Sequence, residues 1–140
     1  MIEMDEEYFA KEFVRLFPES EAEYHLHMES YGEMLGHVFF GNEINQPLSH
    51  LLFENKDKAT IQKYVDFIKT MYSHGNDRVQ NIVEVTILAY LGDDDTVLKH
   101  ALTCFSEDED IIKASKRVEE GYGRRNIRIF HRRGKVFAEW

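Results

Sequence analysis

The stretch Asp77-Arg-Val-Gln-Asn-Ile-Val-Glu-Val-Thr-Ile-Leu-Ala-Tyr-Leu91 is the most continuous apolar segment in a charge-rich chain, and it limits what the rest can build around it. Asn76 or Asp77 can offer a side-chain oxygen to the unpaired N–H groups of a first helical turn, and Gly92 can take the left-handed conformation that ends a helix. Between those signals Val79, Ile82, Val83, Thr86 and Tyr90 fall on one stripe, and Val85, Ile87, Leu88 and Ala89 widen it to most of the circumference. A helix apolar on most sides belongs at the centre of a bundle. The competing reading is a buried strand from Val83 to Leu91, because β-branched residues are frequent there; segment length and the capping residues favour the helix.

Amphipathic helices are expected on both sides of that segment. The first spans 5–17, capped by Asp5 and stopped by Pro18, with a stripe of Tyr8, Phe9, Phe13, Leu16 and Phe17. The second runs from Glu19 or Ser20 to about Phe40, with Ser20 and Glu23 as a capping box, Tyr24, Met28, Tyr31, Leu35 and Val38 on one face, and Gly32 and Gly36 spaced for close backbone approach. A turn from Gly41 leads to a short helix begun at Pro47, and Thr60 caps a helix through Tyr72. After Gly92 come a helix opened by Asp93 to Asp95 and a shorter, more charged one over 108–120 at the edge of the bundle. Beyond Gly121-Tyr-Gly123 the alternation of Ile127 to His131 and Lys135 to Glu139 about Arg132-Arg133-Gly134 reads as a β-hairpin. Such a hairpin is marginal alone and must dock, with Phe130, Phe137 and Trp140 as its apolar side. The expected fold is mainly α: one domain over 1–140, a bundle of about six or seven helices with a short C-terminal hairpin.

Size and charge narrow the function. The 140 residues, 43% hydrophobic, suit a single core, with no linker tract and no internal repeat at a fixed period. The opening Met1-Ile-Glu-Met-Asp-Glu-Glu7 is acidic where an export signal is basic, so the chain is expected in the cytoplasm without membrane association. Its one cysteine, Cys104, fits a reducing compartment and reads as a small core residue. The net charge is −9, but residues 124–140 carry six basic groups against Glu139 alone, a net of +5, which leaves −14 on the preceding residues. A body of that sign attracts cationic partners and repels nucleic acid.

The residue types admit three kinds of site. Seven histidines invite a metal test, in which Glu33 and His37 share a helical face and His50 or His74 would have to supply further ligands, but no Cys pair or His-Glu-x-x-His pattern supports them. The basic tail, Arg124, Arg125, Arg128, Arg132 and Arg133 with Phe130 or Trp140, has the composition of a phosphate-binding and base-stacking strip. Its arginines are better used as ion-pair partners for the acidic body. The exposed carboxylates of the first two helices, Glu3, Glu6, Glu12, Glu19, Glu21 and Glu23, are the natural contacts for a basic protein. No nucleophile elbow, P-loop, dinucleotide fingerprint or Cys/His signature occurs, so no cofactor is expected and binding is favoured over catalysis.

His37-Val-Phe-Phe-Gly-Asn42, Pro47-Leu-Ser-His-Leu-Leu52, Tyr64-Val-Asp-Phe-Ile68 and the segment from Val79 to Asp94 together resemble a family of small bacterial helical proteins of unknown function, similar in style to the immunity proteins that accompany polymorphic toxins. The likeness spans roughly residues 5–105, is most specific at Val79-Gln-Asn-Ile-Val83, and brings no catalytic residue with it. It implies a cytoplasmic, bacterial, helical protein that neutralises a basic toxin domain by covering it. A small helical enzyme or ligand-binding domain near Glu33, His37 and His50, and a nucleic-acid-associated regulator using the tail, are the alternatives.

Overall fold

A computed structural model describes residues 3–140, and among them the chain forms seven helical bodies followed by a two-stranded antiparallel hairpin. Helix α1 is Glu6–Leu16 and α2 is Glu21–Tyr31, preceded by a 3₁₀ turn, Pro18–Ser20. Helix α3 covers 36–54, α4 is Lys58–His74, α5 covers 77–91, α6 is Asp95–Cys104 and α7 is Glu109–Gly121. Strands β1, Arg128–Arg132, and β2, Lys135–Glu139, close the fold.

The segment expected at the centre is there, as helix rather than strand. The Asn76 side chain accepts the Val79 N–H at 3.0 Å to start α5, which packs against α3, α4, α6 and α7. Val79, Ile82, Val83, Ile87, Leu88 and Leu91 are all buried, while Val85 faces solvent. Gly92 ends the helix without entering the left-handed region, since its φ is −76°. Glycine is needed there for space: a methyl group would overlap the Glu119 carboxylate and lie 2.6 Å from Nη2 of Arg124.

An aromatic cluster fills the other half of the core. Phe9, Phe13 and Phe17 of α1 meet Phe39 and Phe40 of α3 and Tyr64 and Phe67 of α4, with Phe13 stacked on Phe17 at 4.5 Å and edge-on to Phe67 at 5.2 Å. Each fully buried phenyl ring contributes about 2–3 kcal/mol. Asp5 caps α1 through the Tyr8 N–H at 2.9 Å.

Two helices differ from expectation between residues 20 and 54. The single helix expected to run to Phe40 is broken, because Gly32 adopts φ +72° and a new helix starts at Gly36. Glu33 therefore lies in a link and shares no helical face with His37. Gly36 is the glycine of close approach, for a Cβ there would strike Cδ1 of Ile82 and lie 3.1 Å from Cβ of Glu6, whereas one on Gly32 would meet nothing. Ser20 makes no capping bond to α2, so the capping box is absent. In place of a turn before Pro47, α3 runs on through a π-helical turn, Gly41–Asn45. Proline has no N–H and its ring crowds the carbonyl four residues back, here that of Glu43; the widened turn absorbs that conflict without breaking the helix. Further on, α4 begins before Thr60, with Asp57 as its cap.

The hairpin turns through Arg133 and Gly134, at φ +52° and +77°, the two left-handed positions of a type I′ turn. Its register pairs Phe130 with Phe137 and Ile129 with Ala138. The face toward the helices is the reverse of the one expected. Ile127 and Val136 are buried, Ile129 and Ala138 pack against the core, and the Val136 N–H donates to Ser106 O at 2.8 Å. Phe130 and Trp140 are exposed, and the Phe130 and Phe137 rings stack at 5.5 Å on the outside. Small aliphatic groups allow the ribbon to sit close over α6 and α7. That cover gives α7, expected at the edge with few apolar positions, a buried face of Ile111, Ile112, Ala114, Ser115 and Val118.

Candidate partner-binding cleft

Helix α2 is the least embedded of the long helices. His27 is its one buried residue, 7% exposed, while Leu26 and Tyr31 are 56% and 52% exposed and Val38, at the start of α3, is 38% exposed. His27 holds the helix by two means. Its Nε2 accepts the Leu35 N–H at 2.9 Å, tying the link after Gly32 back onto α2, and its ring packs at 4.7 Å from Tyr31 and 5.7 Å from Phe39. With Nε2 accepting a backbone N–H, Nδ1 is the ring nitrogen left to donate.

Between α2 and the first turns of α3 lies a cleft of about 170 Å³ whose lining includes Glu23, Leu26, His27, Tyr31, Val38 and Glu43. The π-helical turn carries Glu43 into it. Burial pushes the Glu43 carboxyl above the usual range, the Ser20 hydroxyl opposes that shift, and the charges of Glu23 and Glu19 add to it. No ion pair among the described residues involves Glu19, Glu23 or Glu43. The cleft thus combines exposed apolar side chains with uncompensated negative charge.

The other acidic residues expected to meet a partner are distributed differently. Glu3 and Glu6 both reach Arg78, at 3.5 and 3.1 Å, which ties the N-terminal segment to α5. Glu12 pairs with Arg15 at 2.7 Å, and Glu21 lies 3.6 Å from His25. Of the six, Glu19 and Glu23 alone have no such partner among the described residues; Glu23 lines the cleft, and the charge of Glu19 acts on Glu43. Sequence pattern does not mark Glu43 or Leu26, and it places Tyr31 and Val38 on the inward face of one long helix; the break at Gly32 leaves both exposed instead. The available signal is Leu26, an apolar residue that stands off the stripe of Tyr24, Met28 and Tyr31 among polar neighbours.

The residues weighed for metal binding stand apart in their bonding. His37 Nδ1 is 2.6 Å from Thr86 Oγ1, His50 lies 3.5 Å from Glu54, and Glu33 is exposed. Among the described residues no three His, Cys, Asp or Glu side chains are grouped to hold a metal ion. Burial pushes the Cys104 thiol up, which keeps it protonated.

The basic tail divides in two. Arg124 and Arg125 close on Glu119, a carboxylate 1% exposed, with Arg124 Nη2 at 2.5 Å from Oε2 and Arg125 bound to Oε1. They also reach Asp93 and Asp95 at 2.7 and 2.5 Å, and Arg125 donates to Gly92 O. These two arginines complete the body. Arg128 pairs with Glu139 across the hairpin, while Arg132, Arg133 and Lys135 stay exposed around Phe137.

No helix among the described residues is long and apolar enough to cross a membrane. Residues 10–109 match the family model described as a domain of unknown function, DUF7674. No curated protein and no solved structure matches the chain.

Proposed function

The chain belongs to the DUF7674 family of domains of unknown function, and from that premise we propose that it is a non-enzymatic binding protein whose acidic α2–α3 face covers a basic protein partner. The observation that carries this reading is the exposure of Leu26, Tyr31 and Val38 beside the unpaired carboxylates Glu19, Glu23 and Glu43. An apolar centre with a charged rim is the anatomy of a protein interface, and a stable one buries roughly 1,600 Å² in total. The −14 of residues 1–123 steers a cationic partner toward it.

The most concrete form of the reading is a cytoplasmic, bacterial immunity-like protein that blocks a basic toxin domain, in keeping with the resemblance of residues 5–105. It is tested by co-expressing the chain with the basic products of neighbouring genes. Protection of the host and a purified complex weakened by Leu26→Ser with Tyr31→Ser are expected. A panel that yields neither protection nor a complex refutes the reading.

A second reading has its own observation. The outward Phe130–Phe137 stack flanked by Arg132, Arg133 and Lys135 has the chemistry of a single-strand stacking platform. Retention of oligonucleotide at low salt, lost in Phe130→Ser with Phe137→Ser, is its expected result, and no retention at all ends it.

A further inference from the structure

We infer that the cleft between α2 and α3 is the receptor for one arginine side chain, the anchor of the basic partner. The inference rests on the binding-protein reading and goes beyond it by naming what enters the site. The cleft, about 170 Å³ and open to solvent, has room for a long side chain to enter. The polar groups in its wall specify that side chain's chemistry. Glu23 and Glu43 supply negative charge that no cation among the described residues pairs with, and Glu43 sits on the π-helical turn, where burial makes the lack of a counter-ion costly.

Two further features separate this cleft from an ordinary acidic patch. His27 is a lining residue only 7% exposed, and one of its ring nitrogens is committed to the Leu35 N–H. The other, Nδ1, is left to donate and has no hydrogen-bond partner among the described residues, so the wall offers a donor as well as carboxylates. A peptide residue with a cationic head and its own carbonyl oxygen satisfies both. The second feature is aromatic: Tyr31 is half-exposed at the cleft, and Phe39 also lines it. A planar guanidinium stacks on such a ring while its N–H fork binds carboxylate, a combination that a lysine ammonium reproduces less well. Arginine is therefore the favoured anchor, in agreement with its frequency at interface hot spots.

The probes are acetyl-Gly-Arg-Gly-amide and its lysine and citrulline counterparts, titrated into the full chain while amide and side-chain resonances are followed. The arginine peptide is expected to move the signals of α2 and the π-helical turn, Glu43→Gln and Tyr31→Ala to weaken it by about tenfold or more, and citrulline to bind no better than that. Glu7→Gln, which removes an exposed carboxylate paired with Lys11 on α1, serves as the charge control and is expected to change nothing. Equal binding by citrulline, equal loss in Glu7→Gln, or a lysine peptide that binds more tightly than arginine overturns the inference. So does tighter binding of spermidine than of the arginine peptide, which would mark a small-molecule polycation site. A basic partner whose complex is unaffected by Glu43→Gln and Tyr31→Ala removes the arginine anchor while the binding-protein reading stands.

Discussion

Glu119 shows how much one residue settles in this protein. It is the one charged residue on the buried face of α7, and it is tolerated because Arg124 and Arg125 clamp both of its oxygens. Removing one member of a buried ionic cluster strands the others: Glu119→Ala is expected to cost about 3–5 kcal/mol in urea unfolding. Gly92→Ala forces a methyl group into the same cluster and is expected to cost about 1–3 kcal/mol with little change in helix content. Glu43 makes the opposite case, a group whose charge the fold opposes. Its folded-state pKa is raised by burial, so the native state holds this proton more tightly than the unfolded chain does. Its contribution is most favourable below the unfolded value of about 4.3 and is lost as pH rises through the higher folded value. Glu43→Gln should therefore melt above wild type at pH 7 and level with it at pH 3.5. A variant that melts lower at pH 7 contradicts the assignment, whereas gain of stability with loss of binding is what a site carrying unfavourable charge for a ligand predicts.

At the scale of elements, α5 is a scaffold. Its buried stripe touches four other helices, so Ile82→Asp or Leu88→Asp is expected to cost about 4–5 kcal/mol, a large part of the stability of an ordinary domain. Either variant melting like wild type while failing to bind would make α5 a binding element instead. Gly36→Ala tests the α3–α5 contact, where a new methyl group must displace the Ile82 side chain, and a loss of about 1–3 kcal/mol is expected. Capping and periodicity made most helices legible beforehand. Asp5, Asn76, Asp94 and Asp108 each accept the N–H three residues on, and the apolar spacing of α1, α4 and α6 is that of buried faces. What periodicity missed was the break at Gly32 and the continuity through Pro47. A glycine at the end of a run and a proline within one each have two outcomes, and neighbouring elements choose between them. Here the His27–Leu35 bond and the π-helical turn made the choice.

The molecule as a whole is closed by its last residues. The hairpin covers α6 and α7, and its approach segment supplies both cations that neutralise Glu119. Deleting residues 124–140 is therefore expected to abolish cooperative melting. Glu119→Leu in the shortened chain should restore part of it, because the deletion otherwise leaves an unpaired buried charge. A shortened chain that melts like the full one would show the hairpin to be an appendage. Charge acts at this scale too. With −14 on residues 1–123, association with a basic partner should slow by about tenfold or more between low and physiological salt, and a salt-independent rate would exclude electrostatic steering.

From sequence alone the helical class, the central place of residues 77–91, the terminal hairpin and the opposition of acidic body to basic tail can be read. Each depends on local spacing, capping or composition, which neighbours in the chain determine. The direction in which the hairpin faces, the pairing of Arg124 and Arg125 with Glu119, and the convergence of Glu23, His27, Tyr31 and Glu43 on one cleft came only with tertiary structure. Those features join residues from different elements, and which of many carboxylates is buried, paired or left uncompensated is decided by packing. No local pattern records it.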